Sequence, residues 1–216
     1  MEKVKLKIGV VSDVVCPWCY IGKRRLEKAM ELTSDRFIFE VEYFPFELNP
    51  HMPEQGADYH EYHCRKFGSE EKFRELNDHV GLVASRENLD FKPDLQKTHP
   101  NTRNAHRIIL MAREEDKQPA VVEALFRGYF TEGLDLTQIE NLVNIAAQAG
   151  LDGDKVEDLL NSNTGKLEIE MAEKELKDLG ITSVPLFIVD DKFAVSGAQS
   201  VESFTRAFED AALVSR

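Results

Sequence analysis

Two cysteines, Cys16 and Cys19, lie three positions apart where an apolar run gives way to a helix-like stretch. The apolar run extends from Ile8 to Val15, and the helix-like sequence follows from Tyr20. A cysteine at a helix N-terminus lies among unpaired backbone N–H groups, which together with the helix dipole stabilise its thiolate. A second cysteine about one turn later can close a disulfide with little movement of the backbone. The spacing therefore predicts thiol–disulfide redox chemistry.

The composition of the 216-residue chain limits the classes of binding partner and the cellular compartment that we expect. The chain has 39 acidic residues against 27 lysines and arginines, a net charge of −12, whereas binding to phosphate needs positive charge. We therefore expect no nucleic acid and no membrane as a partner. The charged start, Met1–Lys7, lacks the apolar core of a secretory signal and predicts a cytoplasmic protein, although a mature exported form restarted with Met would look the same. Three cysteines are too few for a disulfide scaffold.

Hydrophobic periodicity indicates the elements that must position the two thiols. The elements predicted near the two ends of the chain are residues 4–12, 17–33, 37–44, 167–179, 186–189, 193–195 and 200–212. The first three read strand, helix, strand and predict a parallel βαβ unit. The helix that follows the middle of the chain ends at Gly180, and the turn Asp190–Asp191 predicts a hairpin of two short strands.

The middle of the chain, residues 50–165, has helical periodicity and no strand-like run. Ser69 is predicted to cap one helix, and Pro100–Thr102 to open another. Thr137–Glu140 is predicted to form a capping box for a third helix, which ends at Gly150. This segment therefore predicts four to six helices.

When the helical segment is left out, the strands and helices predicted near the two ends of the chain follow the order of a thioredoxin fold. We predict an α/β protein with a thioredoxin-like fold, a four-stranded mixed sheet with flanking helices, and an inserted all-helical domain. The thioredoxin-like domain is discontinuous, residues 1–49 and 166–216, and the helical insertion is residues 50–165. The Cys16–Cys19 segment then lies at the first strand–helix turn.

Pro185 directly precedes the apolar run Leu186–Val189. Proline lacks the N–H that a sheet ladder needs, so it is tolerated at the start of a strand. A thioredoxin-like sheet needs a tight turn here, facing the two thiols, and we therefore predict that the Val184–Pro185 peptide bond is cis. The backbone of Val184 would then be free to pair with an extended substrate.

Several segments of the chain resemble the DsbA-like thioredoxin family, and most closely its FrnE-like branch. They are Ser12–Gly22, Phe44–Pro50, Asn101–Thr102 with Ala105–Arg107, and Gly180–Pro185. The resemblance implies a helical domain that roofs the active site, and dithiol oxidoreductase or isomerase activity on disulfide-containing proteins or small molecules. It implies that Cys16 is the exposed nucleophile and that Cys19 resolves the mixed disulfide. No tightly bound cofactor is expected, glutathione is a candidate co-substrate, and a homodimer is left open.

The substrate-binding residues expected with this resemblance are Pro17, Trp18, Val184, Pro185 and Asn101. Asn101 matches the family pattern, and the helix N-terminus there could bind an anionic group. Trp18 offers an aromatic surface beside the thiolate, with packing as an equal explanation.

Charged residues flank the two thiols in the sequence. Lys23–Arg25 begin more than a turn beyond Cys16, and basic side chains near a thiolate favour it. Asp13 could oppose that effect or relay a proton to Cys19, but bonding to the local backbone of a turn is its more common role. His106 is expected to be packed or bonded to solvent.

Two other functions stay open. Kappa-class glutathione transferases and 2-hydroxychromene-2-carboxylate isomerases, from the same superfamily, have serine where this chain has Cys16, and they use glutathione. A glutathione-dependent enzyme acting on a small aromatic molecule is therefore one alternative. The other is a non-catalytic zinc-binding module, because Cys16 and Cys19 have zinc-ligand spacing and His60, His63 and Cys64 offer further ligands. A structural zinc site usually has a second comparable pair, but His60 and His63 fit one helix face only loosely, and no metal site is assigned.

Overall fold

The computed structural model describes residues 3–214, and its centre is a four-stranded mixed sheet. The strands of the chain are β1, Val4–Ser12; β2, Phe37–Pro45; β3, Ala57–Asp58; β4, Thr98–His99; β5, Leu186–Val189; and β6, Phe193–Ser196. The sheet order is β2-β1-β5-β6, with β1 parallel to β2 and antiparallel to β5, and with β5 antiparallel to β6. The predicted thioredoxin-like α/β fold is confirmed.

Nine α-helices lie within residues 3–214, and seven of them separate β2 from the second half of the sheet. The helices are α1, Pro17–Leu32; α2, Tyr59–Phe67; α3, Glu70–Arg86; α4, Arg103–Arg113; α5, Gln118–Phe130; α6, Ile139–Gln148; α7, Gly153–Leu160; α8, Lys166–Asp178; and α9, Val201–Val214. Helix α9 packs on α1 and on β1, β5 and β6, while α8 packs on β2. In this described part of the chain, no helix has the length and apolar character needed to cross a membrane.

Local sequence explains several of these boundaries. Helix α1 begins directly after the extended residue Cys16, with Pro17 in its first turn, where the missing N–H of proline has no cost. The Ser69 side chain accepts a hydrogen bond from the Lys72 N–H and caps α3, as predicted. Asp190 and Asp191 have φ angles of 53° and 55°, the left-handed values that a two-residue hairpin turn requires, and they join β5 to β6.

Two features of the inserted segment differ from the sequence prediction. The capping box at Thr137–Glu140 is wrong: helix α6 starts after Gln138, which makes no side-chain cap, and Thr137 donates its N–H and its hydroxyl to Asp135 instead. The segment also contains the two-residue strands β3 and β4, which pair with each other and are too short to leave a periodic pattern.

One apolar core runs from the sheet into the inserted helices. It contains Leu6 and Phe187 of the sheet together with Val121 of α5 and Leu142 of α6, all fully buried. Burial of this shared surface holds the helical segment against the sheet. The division of the chain at residues 49 and 165 stays a prediction.

Candidate active site

Cys16 and Cys19 are free thiols at the N-terminal end of α1, on the loop that leaves the central strand β1. Cys16 is the residue that precedes the helix, and its carbonyl oxygen accepts the first helical hydrogen bond, from the Cys19 N–H at 3.0 Å. The Cys16 thiol lies 3.9 Å from the Val184 carbonyl oxygen, where it can donate a weak hydrogen bond. The prediction that Cys16 is exposed is wrong, because only 4% of the residue is accessible. The inserted helices cover it and leave access through a cavity.

The segment that faces Cys16 is fixed on both sides. The Val184–Pro185 peptide bond is cis, and the Pro185 carbonyl accepts a hydrogen bond from the Gly197 N–H at 2.8 Å. On the other side, Gly22 of α1 lies so close that a Cβ added there would be 2.9 Å from the ring of Phe187 and 3.4 Å from Pro185. The absence of a side chain at Gly22 therefore lets α1 approach the turn before β5.

Cys19 is almost fully buried beneath Cys16. Burial raises the pKa of the Cys19 thiol well above its usual value, and a hydrogen bond with Cys16 and the charge on Cys16 raise it further. A hydrogen bond with the Asp13 backbone acts weakly in the opposite direction. The Cys19 thiol therefore keeps its proton and can donate it in a hydrogen bond to the Cys16 sulfur.

Asp13 is completely buried at the end of β1 and is bound to a distant part of the chain. Its Oδ2 accepts a hydrogen bond from the Leu48 N–H at 2.8 Å, so a purely local role in the turn, the expected one, is wrong for the side chain. Its Oδ1 faces His106 Nε2 at 3.4 Å without the geometry of a hydrogen bond. Asp13 and His106 thus form a buried acid–imidazole pair below the two cysteines.

The basic residues that follow the cysteines are paired with carboxylates. Lys23, itself buried, lies 2.5 Å from both Glu27 and Glu123, and Arg24 contacts the same two residues. Although burial raises the pKa of Glu123, its basic partners and the Tyr20 hydroxyl lower it overall. The pairs with Glu123 connect α1 to α5, and the charges of Lys23 and Arg24 are thus directed at carboxylates. The same holds for the third of these basic residues, Arg25, whose carboxylate partner at 2.7 Å is Glu87.

A cavity of about 370 Å³ lies directly over Cys16. Its floor is formed by Val15–Trp18, Leu48 and Val184. We call the opposite wall the roof; it consists of lining side chains from α2, α3, residues 91–99 and the end of α5. The roof is rich in rings, with Phe73, Phe91, Tyr129 and Phe130 among them, so the space above Cys16 is mainly apolar.

Two neutral histidines belong to the roof. Burial lowers the pKa of His63 to about 4, and burial together with the neighbouring His63 lowers that of His99 to about 3. The Tyr129 hydroxyl and His99 Nδ1 are buried without a hydrogen-bond partner in the part of the chain described. Sequence reasoning missed these residues because they lie on separate elements. The concentration of rings and imidazoles in Tyr59–His63 was the one local signal.

The structure brings only some of the predicted site residues to the cavity. Cys16, Pro17, Trp18 and Val184 line it, whereas Cys19 and Pro185 lie behind this lining. Asn101 is elsewhere: its amide donates to the Met52 carbonyl and accepts from the Arg103 N–H, and it does not line the cavity.

The fold also does not bring the residues considered as zinc ligands together into one site. His63 Nδ1 lies 2.7 Å from the Tyr59 carbonyl oxygen, while Cys64 lies 3.7 Å from His60 Nε2. From residue 3 to residue 214, no three His, Cys, Asp or Glu side chains are arranged as a group that could hold a metal ion.

Comparison with known proteins agrees with this architecture. The chain is 33% identical to the probable DsbA oxidoreductase of Streptomyces coelicolor, with a TM-score of 0.88 over 95% of this chain and 89% of that one. It is 27% identical to the uncharacterized protein YwbO of Bacillus subtilis, over 94% of this chain and 96% of that protein. The cytosolic disulfide reductase DsbM of Pseudomonas aeruginosa, solved with GSH, has the same fold at 16% identity, with a TM-score of 0.63 and 97% of each chain covered. The family model described as DSBA-like thioredoxin domain matches residues 7–209, and the chain belongs to this family.

Proposed function

We propose that this protein is a thiol–disulfide oxidoreductase in which Cys16 is the nucleophile and Cys19 the resolving thiol. One observation carries the proposal: Cys16 lies at a helix N-terminus under a cavity, with the buried Cys19 thiol near enough to donate a hydrogen bond to its sulfur. The helix N-terminus and this hydrogen bond both favour negative charge on Cys16. Membership of the DsbA family supports the same chemistry.

The first step is attack of the Cys16 thiolate on one sulfur of a substrate disulfide. A bond forms between Cys16 and that sulfur, the substrate S–S bond breaks, and its electron pair leaves on the other sulfur as a thiolate. The Val184 carbonyl and the cis turn at Pro185 limit the direction from which the substrate approaches. Pro17 and Trp18 form the adjoining wall of the cavity.

The second step releases the substrate. Cys19 loses its proton and attacks the Cys16 sulfur, forming the Cys16–Cys19 disulfide and expelling the second substrate thiolate. The substrate has then gained two electrons and the protein has lost two. Asp13, buried below the cysteines and with one oxygen unbonded, is our candidate acceptor of the Cys19 proton.

An insulin-reduction assay with dithiothreitol tests the proposal. We expect that Cys16→Ser removes activity and that Cys19→Ser leaves a trapped mixed disulfide on Cys16. Cys64→Ser, the matched control at the third cysteine, should behave as the unmodified protein does. Equal activity of all four proteins would overturn the assignment.

We further propose that a low-mass thiol such as glutathione returns the oxidised pair to the dithiol, without being tightly bound. The solved complex of DsbM with GSH supports this choice. A cytoplasmic location, where thiols are kept reduced, would favour reductase or isomerase activity. Saturable glutathione binding without Cys19-dependent disulfide reduction would instead favour the glutathione-dependent transferase or isomerase. The FrnE-like branch stays a prediction.

A further inference from the structure

Two residues that line the cavity over Cys16 carry polar atoms that thiol–disulfide exchange itself does not use. Tyr129 is 2% and His99 3% accessible, and both line the cavity. Within residues 3–214, neither the Tyr129 hydroxyl nor His99 Nδ1 has a hydrogen-bond partner. A buried polar group without a partner is costly, so each such group needs an explanation.

Both atoms are hydrogen-bond donors. Burial raises the pKa of Tyr129 well above its usual value, so its phenol keeps the proton. His99 is neutral and has a single ring N–H. Its Nε2 lies 3.5 Å from the amide nitrogen Nδ2 of Asn49, a donor, which assigns the acceptor role to Nε2 and the proton to Nδ1. Each of the two residues thus has a buried donor for which an acceptor atom, such as a carbonyl or carboxylate oxygen, is missing among the described residues.

The walls and the volume of the rest of the cavity indicate the size and the apolar character of a matching ligand. The walls are mainly rings, including Trp18, Phe73 and Phe91, and rings select flat apolar groups. The volume of about 370 Å³ lies within the range of roughly 300–1,000 Å³ that small-molecule sites occupy. A folded protein would have to insert a side chain of this size, whereas a small molecule can fill the space alone.

One positive charge lies on the same wall. Lys66 lines the cavity, with its ammonium 5.5 Å from the ring centre of Tyr62 and 5.8 Å from that of Phe67. Among the described residues, no carboxylate forms an ion pair with Lys66. Lys66 is therefore available to a ligand carboxylate in an otherwise acidic protein.

We propose that the cavity binds a small aromatic disulfide that carries a carbonyl or carboxylate oxygen, and that this is the substrate class of the Cys16–Cys19 pair. The inference rests on the proposed function. Cys16 displaces one aryl thiolate from the substrate and forms a mixed disulfide with the other half. Cys19 then displaces the second aryl thiolate, and a low-mass thiol reduces the resulting Cys16–Cys19 disulfide. Aryl thiolates leave readily because the pKa of their thiols is low.

Two dicarboxylate disulfides separate the aromatic preference from charge: 2,2′-dithiodibenzoate, which has two rings, and 3,3′-dithiodipropionate, which has none. Binding is measured by calorimetry to the full chain carrying Cys16→Ser, Cys19→Ser and Cys64→Ser, so that no thiol remains to exchange with the disulfide. The single tryptophan of the chain, Trp18, lines the cavity and gives fluorescence quenching as a second readout. We expect the aromatic disulfide to bind at least about tenfold more tightly than the aliphatic one, because only its rings match the walls.

Variants then locate the binding site. Tyr129→Phe removes one donor and should weaken binding of 2,2′-dithiodibenzoate about threefold to tenfold. Val80→Phe, which adds a ring to the cavity wall, should weaken it by more than tenfold. Tyr43→Phe is the matched control, since Tyr43 is also a buried phenol but does not line the cavity, and it should leave binding unchanged.

The outcomes separate this inference from the proposed function. Equal affinities for the two disulfides, no saturable binding, or equal effects of Tyr129→Phe and Tyr43→Phe would overturn the inference. Those results together with Cys16-dependent reduction of insulin would leave the proposed function in place. Tight binding of the aromatic disulfide without its Cys16-dependent reduction would overturn its role as substrate, and only loss of Cys16-dependent insulin reduction as well would overturn the redox assignment.

Discussion

The floor and the roof of the cavity are specified in different ways. On the floor, together with the residues directly behind it, the features that matter belong to the backbone: the N-terminus of α1, the Val184 carbonyl, the cis bond at Pro185 and the missing side chain of Gly22. In the roof they belong to side chains, namely rings, two neutral imidazoles and an unpartnered phenol. The comparison indicates that the backbone positions Cys16, whereas the substrate choice we propose depends on the side chains of the roof. Changes to the floor should therefore affect rate or folding, and changes to the roof should affect selectivity.

Asp13→Asn provides the strongest test of the floor. If the Asp13 carboxylate accepts the Cys19 proton, its removal should slow resolution of the mixed disulfide about 100-fold while the attack by Cys16 continues. Acid quenching and mass spectrometry after rapid mixing with a small disulfide measure the amount of mixed disulfide. Asp116→Asn, at an exposed turn, is the matched control. A mixed disulfide that disappears at the unmodified rate would show that Asp13 has no such role.

Glu123→Gln tests how firmly the floor is joined to the inserted helices. Lys23 is 3% exposed at its side chain, and in the variant it loses one of its two charged partners. Breaking a buried ion pair from one side is expected to cost about 3 kcal/mol in the free energy of unfolding. Urea unfolding measures the loss. Asp178→Asn removes an exposed partner of Lys174 and should change the unfolding free energy little; similar values for both variants would mean that the Glu123 network is not structural.

Gly22→Ala tests the close packing behind Cys16. The added methyl group would meet the fully buried ring of Phe187 at 2.9 Å, so we expect a loss of about 2 kcal/mol in unfolding free energy. Gly81→Ala makes the same change inside helix α3, where nothing lies within 4 Å of the new methyl group. There the higher helix propensity of alanine should stabilise the protein by up to about 1 kcal/mol. Changes of the same sign in both variants would contradict the role given to Gly22.

The roof should respond to acid through His99. The pKa of His99 is about 3 in the folded protein, below the usual value of about 6.5, so the unfolded chain binds the proton first. Stability is therefore lost as the pH falls below about 6.5, with a slope of up to about 1.4 kcal/mol per pH unit. Urea unfolding between pH 7 and pH 4 should show a smaller slope in His99→Gln. An identical slope in the variant would mean that His99 is already charged in the folded state.

The two regions also differ in how much of their structure can be predicted from the sequence. The ends of β1, the start of α1 at Pro17, the cap at Ser69 and the turn at Asp190–Asp191 follow from local pattern, because each depends on neighbours a few positions away. Partners from distant elements could not be predicted. They include Glu123 for Lys23, Leu48 and His106 for Asp13, and the Met52 carbonyl for Asn101.

The roof was the least accessible to prediction. Tyr129 and His99 lie 30 positions apart and are brought together only by the packing of the inserted segment. No periodicity reports which side of a helix will face a cavity that another element closes. The burial of Cys16 could not be predicted from the sequence either, since it depends on the helices that cover it.

The sheet order has a consequence for how the protein is made. Strand β1 lies between β2 and β5, and the Cys16 thiol touches a carbonyl 168 positions further along the chain. During synthesis β1 and β2 leave the ribosome first, so the central strand has one unpaired edge until β5 emerges. Contacts this distant in sequence form slowly. We expect the Cys16 sulfur to lack its contact with Val184 while the inserted helices are being translated, and to acquire its finished surroundings only after β5 has emerged.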